Sequence, residues 1–141
     1  LRLLQGDPAG AARGYQEALA RDPTNAALHA NLAVLRFQQG ELGPAEQSWQ
    51  EAVRLDPTLA PAVEGLREVQ AHQGRPGEAL RWARQAARLL PMDLTAQRRL
   101  GELARVVGET ALAQQAFRAA LRLQPADPAL RHALQELGGV P

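Results

Sequence analysis

Residues 26–59 read AALHANLAVLRFQQGELGPAEQSWQEAVRLDPTL, and this stretch decides the fold. Its first part, 26–39, carries Leu28, Leu32 and Leu35 at i, i+4, i+7, the apolar stripe of an amphipathic helix. Gly40 then supplies the left-handed residue that ends a helix. Pro44 opens a second helix, where its missing N–H costs nothing. That helix places Ala45, Trp49, Ala52 and Val53 on one side. Asp56-Pro57 closes it, because a residue before proline is pushed out of the helical region. The unit is helix, tight turn, helix, tight turn.

The same unit recurs on both sides. Pro23, Pro57, Pro91 and Pro125 stand 34 residues apart. In the same register come Gly6, Gly40, Gly74 and Gly108, then Ala11, Ala45, Ala79 and Ala113, then Ala18, Ala52, Ala86 and Ala120, and Leu32, Leu66 and Leu100. A fixed period of this length means stacked units, none of which buries its own apolar face alone. Antiparallel helices approach closely only at small side chains. Ala45, Ala79 and Ala113 are therefore expected at the near contact within a repeat, and Ala52, Ala86 and Ala120 against the following one. Tyr15, Trp49 and Phe117, eight residues before their prolines, are expected to fill the wider gap at the same height in each unit. In the third copy the aromatic stands one place early, at Trp82, leaving Ala83.

This order of small residue, aromatic, alanine and proline resembles the tetratricopeptide repeat family, over essentially the whole chain. The expected fold is all-α, a right-handed superhelix (α-solenoid) of antiparallel helix pairs, about eight helices by pattern. The expected organisation is one domain over 1–141: the second half of a truncated repeat over 1–25, full repeats over 26–59, 60–93 and 94–127, and a C-terminal capping helix within 128–141. The family's tryptophan early in the first helix is replaced by His29, Val63 and Gln97. Its glycine after the leucine survives only as Gly101, with Ala33 and Arg67 at the other two sites. Arg67 there is expected to reach outward or to widen its helix pair.

Composition narrows the function. The 141 residues are 45% apolar and only 4% aromatic, as helix stacks built from Ala and Leu are. Sixteen basic residues, all arginine, face fifteen acidic ones, and a net charge of +1 argues against bulk nucleic-acid binding. Arginine without lysine, with abundant Ala, Gly and Pro, suggests a GC-rich, bacterial coding sequence. The chain has no cysteine, hence no disulfide framework and no thiolate metal site. No apolar run approaches the ~20 residues of a membrane span. The chain opens on Leu1 without an initiator Met, with Leu1, Leu3 and Leu4 expected to continue a helix from upstream. That uncapped end is a candidate for self-association. Gly138-Gly139 is expected as the exit after the last helix.

No catalytic constellation is present, so no enzyme activity and no cofactor are expected. Without lysine there is no P-loop. His29, His72 and His132 lie in different repeats and are expected to lack a metal-type partner one helical turn away. Glu64 and Glu68 share a helix face and are read as a solvated pair.

The family resemblance implies a concave groove, built from the first helix of each repeat, that takes a peptide or partner segment. Projected on this chain, the groove offers Ala30, Asn31, Val34 and Phe37 at one end, Glu64, Glu68 and His72 in the middle, and Arg98, Arg99, Glu102 and Arg105 at the other. Phe37 is the leading anchor, against a reading in which it packs on the neighbouring repeat. The arginine end suits acidic groups, against a reading in which Glu102 neutralises Arg98 and Arg105. Some family members hold chaperone C-terminal carboxylates in a Lys/Asn/Arg clamp. The clamp sites here read Ala30, Val34, Gly65, Thr95 and Arg99, of which only Arg99 matches. Arg54, Arg84, Arg88, Arg118 and Arg122 recur on the second helices and are expected as a basic stripe on the convex side, open to anionic surfaces. The expected function is a protein–protein interaction scaffold. The alternatives are a regulatory or targeting module of a larger enzyme, and anionic-surface binding through the convex arginines.

Overall fold

The computed structural model describes residues 6–140, all of whose regular structure is helical. Eight helices are present among them: α1 (Pro8–Arg21), α2 (Ala26–Gln38), α3 (Leu42–Leu55), α4 (Ala60–His72), α5 (Pro76–Leu89), α6 (Leu94–Val107), α7 (Thr110–Leu123) and α8 (Pro128–Glu136). The number matches the expectation from the period. One boundary differs: α3 starts at Leu42, two residues before Pro44, with Glu41 as N-cap. Proline is tolerated there because it is still within the first turn. Leu1, Leu3 and Leu4, and the end-to-end association read from them, lie outside the described residues.

The helix ends follow from local chemistry. Gly40 (φ 79°) and Gly108 (φ 90°) take the left-handed conformation that lets the chain reverse into the second helix of each pair. The first helices of three repeats begin at a side-chain cap two residues after the repeating proline. Asn25 accepts from the Leu28 N–H (3.1 Å), Asp93 from the Ala96 N–H (2.8 Å), and Asp127 from the N–H groups of Ala129 and Leu130. At the matching position before α4, Leu59 offers no cap, and Pro61 in the first turn pre-sets the helical φ instead.

The helices gather in two compact units, one ending at Gln73 and the other beginning at Gly74. In the first, α2 packs on α1 and α3, α3 on α4, and α2 lies beside α4. The repeated alanines Ala45 and Ala52 are fully buried, with Leu32, Leu35, Leu66 and Trp49 around them. The Trp49 indole packs against Gly65 of α4, where an added Cβ would overlap the ring atoms. Gln70 donates to the Glu46 carboxylate across α3 and α4 at 3.2 Å. In the second unit, α5 packs on α6, α6 on α7 and α7 on α8. Its core joins Leu80, Ala83, Leu100, Ala104, Phe117, Ala120, Leu130 and Leu134. Phe117 rests on Gly101, where a Cβ would come within 2.7 Å of the ring.

Two details of the aromatic register differ from expectation. Trp49 fills a hole in the following repeat, at Gly65, whereas Phe117 fills one in its own repeat, at Gly101. The hole therefore does not recur at one height. Ala33, the counterpart of Gly101, carries a methyl group there and is itself fully buried. Arg67 neither reaches out nor stands free: its side chain is 11% exposed and its Nε donates to Glu64 at 3.0 Å.

Candidate partner-binding faces

Two of the three residues that replace the family's early tryptophan, His29 and Gln97, have a local role that sequence reasoning missed. His29 Nε2 lies 2.9 Å from the Pro23 carbonyl oxygen, and Gln97 Nε2 donates to the Pro91 carbonyl at 3.2 Å. Arg131, in the same register, donates through Nε and Nη2 to the Pro125 carbonyl. A carbonyl only accepts, so His29 carries its proton on Nε2. Each bond ties the first helix of a repeat back to the turn that precedes it. Val63 has no such group, and its turn is closed by backbone bonds from Leu59, Ala62 and Val63. The signal was a polar side chain six residues after each proline, three times in four.

On the first unit, the candidate residues fall on α2 and α4. Asn31 and Val34 are exposed, Val34 by 45%. Ala30 is buried, so its methyl group serves the packing of α2 and not a partner. Phe37 is half-buried; its ring meets the His72 ring edge-on at 5.1 Å and the Trp49 ring at 5.7 Å. This geometry is the packing alternative, an aromatic cluster joining α2, α3 and α4. Glu64 and Glu68 are half-buried, and exposed His72 donates Nδ1–H to the Glu68 carbonyl at 3.0 Å.

On the second unit, Arg98, Arg99, Glu102 and Arg105 all lie on α6. Glu102 is exposed and pairs with neither arginine. Arg98 reaches instead to Asp127, the cap of α8, whose side chain is only 12% exposed. Arg105 sits 3.6 Å from Glu136 on α8 and also lies over the Phe117 ring. Both guanidinium groups are long enough to reach carboxylates of α8 and its cap in place of the one on their own helix. His132 likewise has a carboxylate one turn on, contrary to expectation, with Nε2 3.0 Å from Glu136. Glu136 thus faces both Arg105 and His132. Between α6 and α8 these side chains border a recess of about 260 Å³.

The second-helix arginines do not behave alike. Arg54 is bound by Glu51 on its own helix (2.9 Å), whose carboxyl the guanidinium's hydrogen bond holds below its usual range. Arg84 pairs with Glu109, the N-cap of α7. Arg88, Arg118 and Arg122 are exposed. Trp82, one place off register, is half-buried with the Arg81 guanidinium 5.9 Å from its ring centre. Among the described residues no cluster of three His or carboxylate groups gathers to hold a metal ion, and no helix is long and apolar enough to cross a membrane.

The comparisons agree on the architecture. The structure is similar to a crystal structure of MamA, at 24% identity and a TM-score of 0.82, over 96% of this chain and 80% of that one. It is similar to a tetratricopeptide repeat protein from Parabacteroides merdae, at 21% identity and a TM-score of 0.84, over 96% of this chain and 56% of that one. The first repeat domain of Spaghetti (RPAP3), solved with an HSP90 peptide, aligns at 16% identity and a TM-score of 0.68, over 81% of this chain and 90% of that one. No curated protein matches the sequence. Tetratricopeptide repeat families match residues 2–69 and 68–128, which together span nearly the whole sequence. With its 34-residue period, paired helices and small-residue register, the chain belongs to the tetratricopeptide repeat family.

Proposed function

We propose that this chain is a protein–protein interaction scaffold that holds a peptide or partner segment on the faces of its first helices. The supporting observation is the division of labour within each repeat. Second-helix alanines and aromatics are spent on packing, while α2 leaves Asn31 and Val34 exposed and α6 leaves Arg99, Glu102 and Arg105 exposed. An aliphatic side chain exposed beside polar ones suits a small apolar anchor, and guanidinium groups suit carboxylates. Tetratricopeptide repeats are typically non-catalytic. The RPAP3 complex with its HSP90 peptide supports the mode and not the ligand. Ala30 and Gly65, at two of the clamp positions, are buried.

Affinity capture from a cell lysate with mass-spectrometric readout tests this. The bait is the chain beside two charge variants, Val34→Asp with Glu68→Arg, and Arg99→Glu with Arg105→Glu. All four positions are at least partly exposed, so helicity is expected to be unchanged. The expected result is a partner captured by the parent chain and lost with at least one variant. A partner retained by both would remove the first-helix faces from the reading.

A further inference from the structure

The second unit carries an excess of positive charge that its own carboxylates do not absorb. From Gly74 onward the sequence has ten arginines against six acidic residues, whereas the first unit has six against nine. Much of the excess collects along α5 and α7. A cleft of about 460 Å³ runs between these helices over α6. Its floor is apolar at Leu100, Ala87 and Ala116, with Gln97 and Gln115 beside them, and its rim carries Arg84, Arg88 and Arg122 with no carboxylate. A second cleft of about 550 Å³ shares Arg122 and adds Arg118, Arg131 and Leu121, again with no carboxylate. Arg84 is taken by Glu109, and Arg131 by the Pro125 carbonyl. Among the described residues no ion pair holds Arg88, Arg118 or Arg122. Arg118 and Arg122 are a like-charge pair one helical turn apart, which is unfavourable until something anionic neutralises it.

From this we infer that the α5–α7 face is a second docking surface, and that its occupant is an acidic segment of a partner protein: an apolar side chain flanked by carboxylates. Charge complementarity requires an anion. The recessed apolar floor selects a side chain over a flat lipid surface. The lining has no aromatic ring on which a nucleic-acid base could stack. Arg88, Arg118 and Arg122 would each gain a charge-assisted hydrogen bond that the free chain does not make.

The test uses fluorescein-labelled peptides in which two glutamates flank one leucine at spacings of three, four and seven residues, each with a glutamine twin. Binding is read by anisotropy at low and physiological salt. Proteins are the full chain, Arg88→Glu with Arg122→Glu, and Arg54→Glu as a control on the first unit, each checked for helicity. The expected result is binding of at least one glutamate peptide that exceeds its twin, falls by about tenfold or more in the double variant and with salt, and survives Arg54→Glu. The inference is overturned if no glutamate peptide exceeds its twin, or if the double variant binds as the parent does. It is overturned equally if Arg54→Glu weakens binding as much. Phosphatidylserine vesicles or single-stranded DNA that depend on Arg88 and Arg122 when the peptides do not would assign the face to another anion.

Discussion

Phe117→Ala lowers the stability of the folded chain by about 3–5 kcal/mol. The ring is 2% exposed and bears on Gly101 of α6, with Ala104, Ala113 and Ala120 in the same cluster. Those neighbours are small and sit on helices already in contact, so they cannot close over the space the ring leaves. The loss is therefore the transfer energy of the ring plus a cavity. Urea denaturation followed by circular dichroism reads it directly. Met92→Ala, at a side chain 78% exposed, serves as the reference and is expected to change stability by about 0.5 kcal/mol or less.

Gly65→Val is the second large effect, and it has the opposite cause. The new side chain would enter the volume of the Trp49 indole, a rigid and almost fully buried ring that has no alternative place to go. Overpacking of this kind costs about 1–3 kcal/mol, more than the few tenths recovered by removing glycine from a helix interior. Trp49→Leu alone also destabilises, by opening a cavity. Combined, the two changes are expected to cost less than their sum by about 1 kcal/mol or more, because each corrects the other's volume error. Strict additivity in that cycle would show that Trp49 and Gly65 are not in contact. Gly14→Ala, on an exposed stretch of α1 with nothing near the new methyl group, should instead stabilise slightly.

The contrast between these glycines shows what the sequence could and could not reveal. Period and register were enough for the helices, the left-handed glycine turns, the buried alanines and the large Trp49 and Phe117 in the core. These depend on position within the repeat, and position is what a 34-residue period encodes. Partnership is different. Trp49 and Phe117 hold the same register yet use holes in different repeats, because the hole depends on where a glycine happens to fall on a neighbouring helix. The same holds for the candidate faces. Ala30 and Phe37 fall on the projected groove, but Ala30 is buried and Phe37 is drawn into the Trp49–His72 cluster. Spacing alone leaves open both an acidic partner for Arg98 and Arg105 and neutralisation by Glu102, one turn away on their own helix. Their side chains are long enough to reach α8 and its cap, where Asp127 and Glu136 stand. The proline-carbonyl ties of His29, Gln97 and Arg131 were legible only as a recurring polar residue, since three different side chains perform one task.

The faces therefore separate by how their side chains are already engaged. On α6, Arg98 and Arg105 reach carboxylates of α8 and its cap, while Arg99, Glu102 and Arg105 remain exposed at the surface. On α2, Val34 and Asn31 project from a helix whose other faces are buried. On α5 and α7, the unpaired guanidinium groups lie over an apolar floor. A variant that disturbs Phe37 or Arg98 would perturb packing along with binding, so tests of function belong at Val34, Arg99 and Arg105.

The most direct measurement is site-specific photo-crosslinking in the source cells. A benzophenone side chain is placed in turn at Val34, at Arg99 and, as an exposed second-helix reference on the first unit, at Gln47. A discrete crosslinked partner is expected from Val34 or Arg99, and none from Gln47. A partner trapped at Gln47 as efficiently as at Val34 or Arg99, or trapped at Gln47 and at neither first-helix position, would contradict the assignment of the binding face to the first helices.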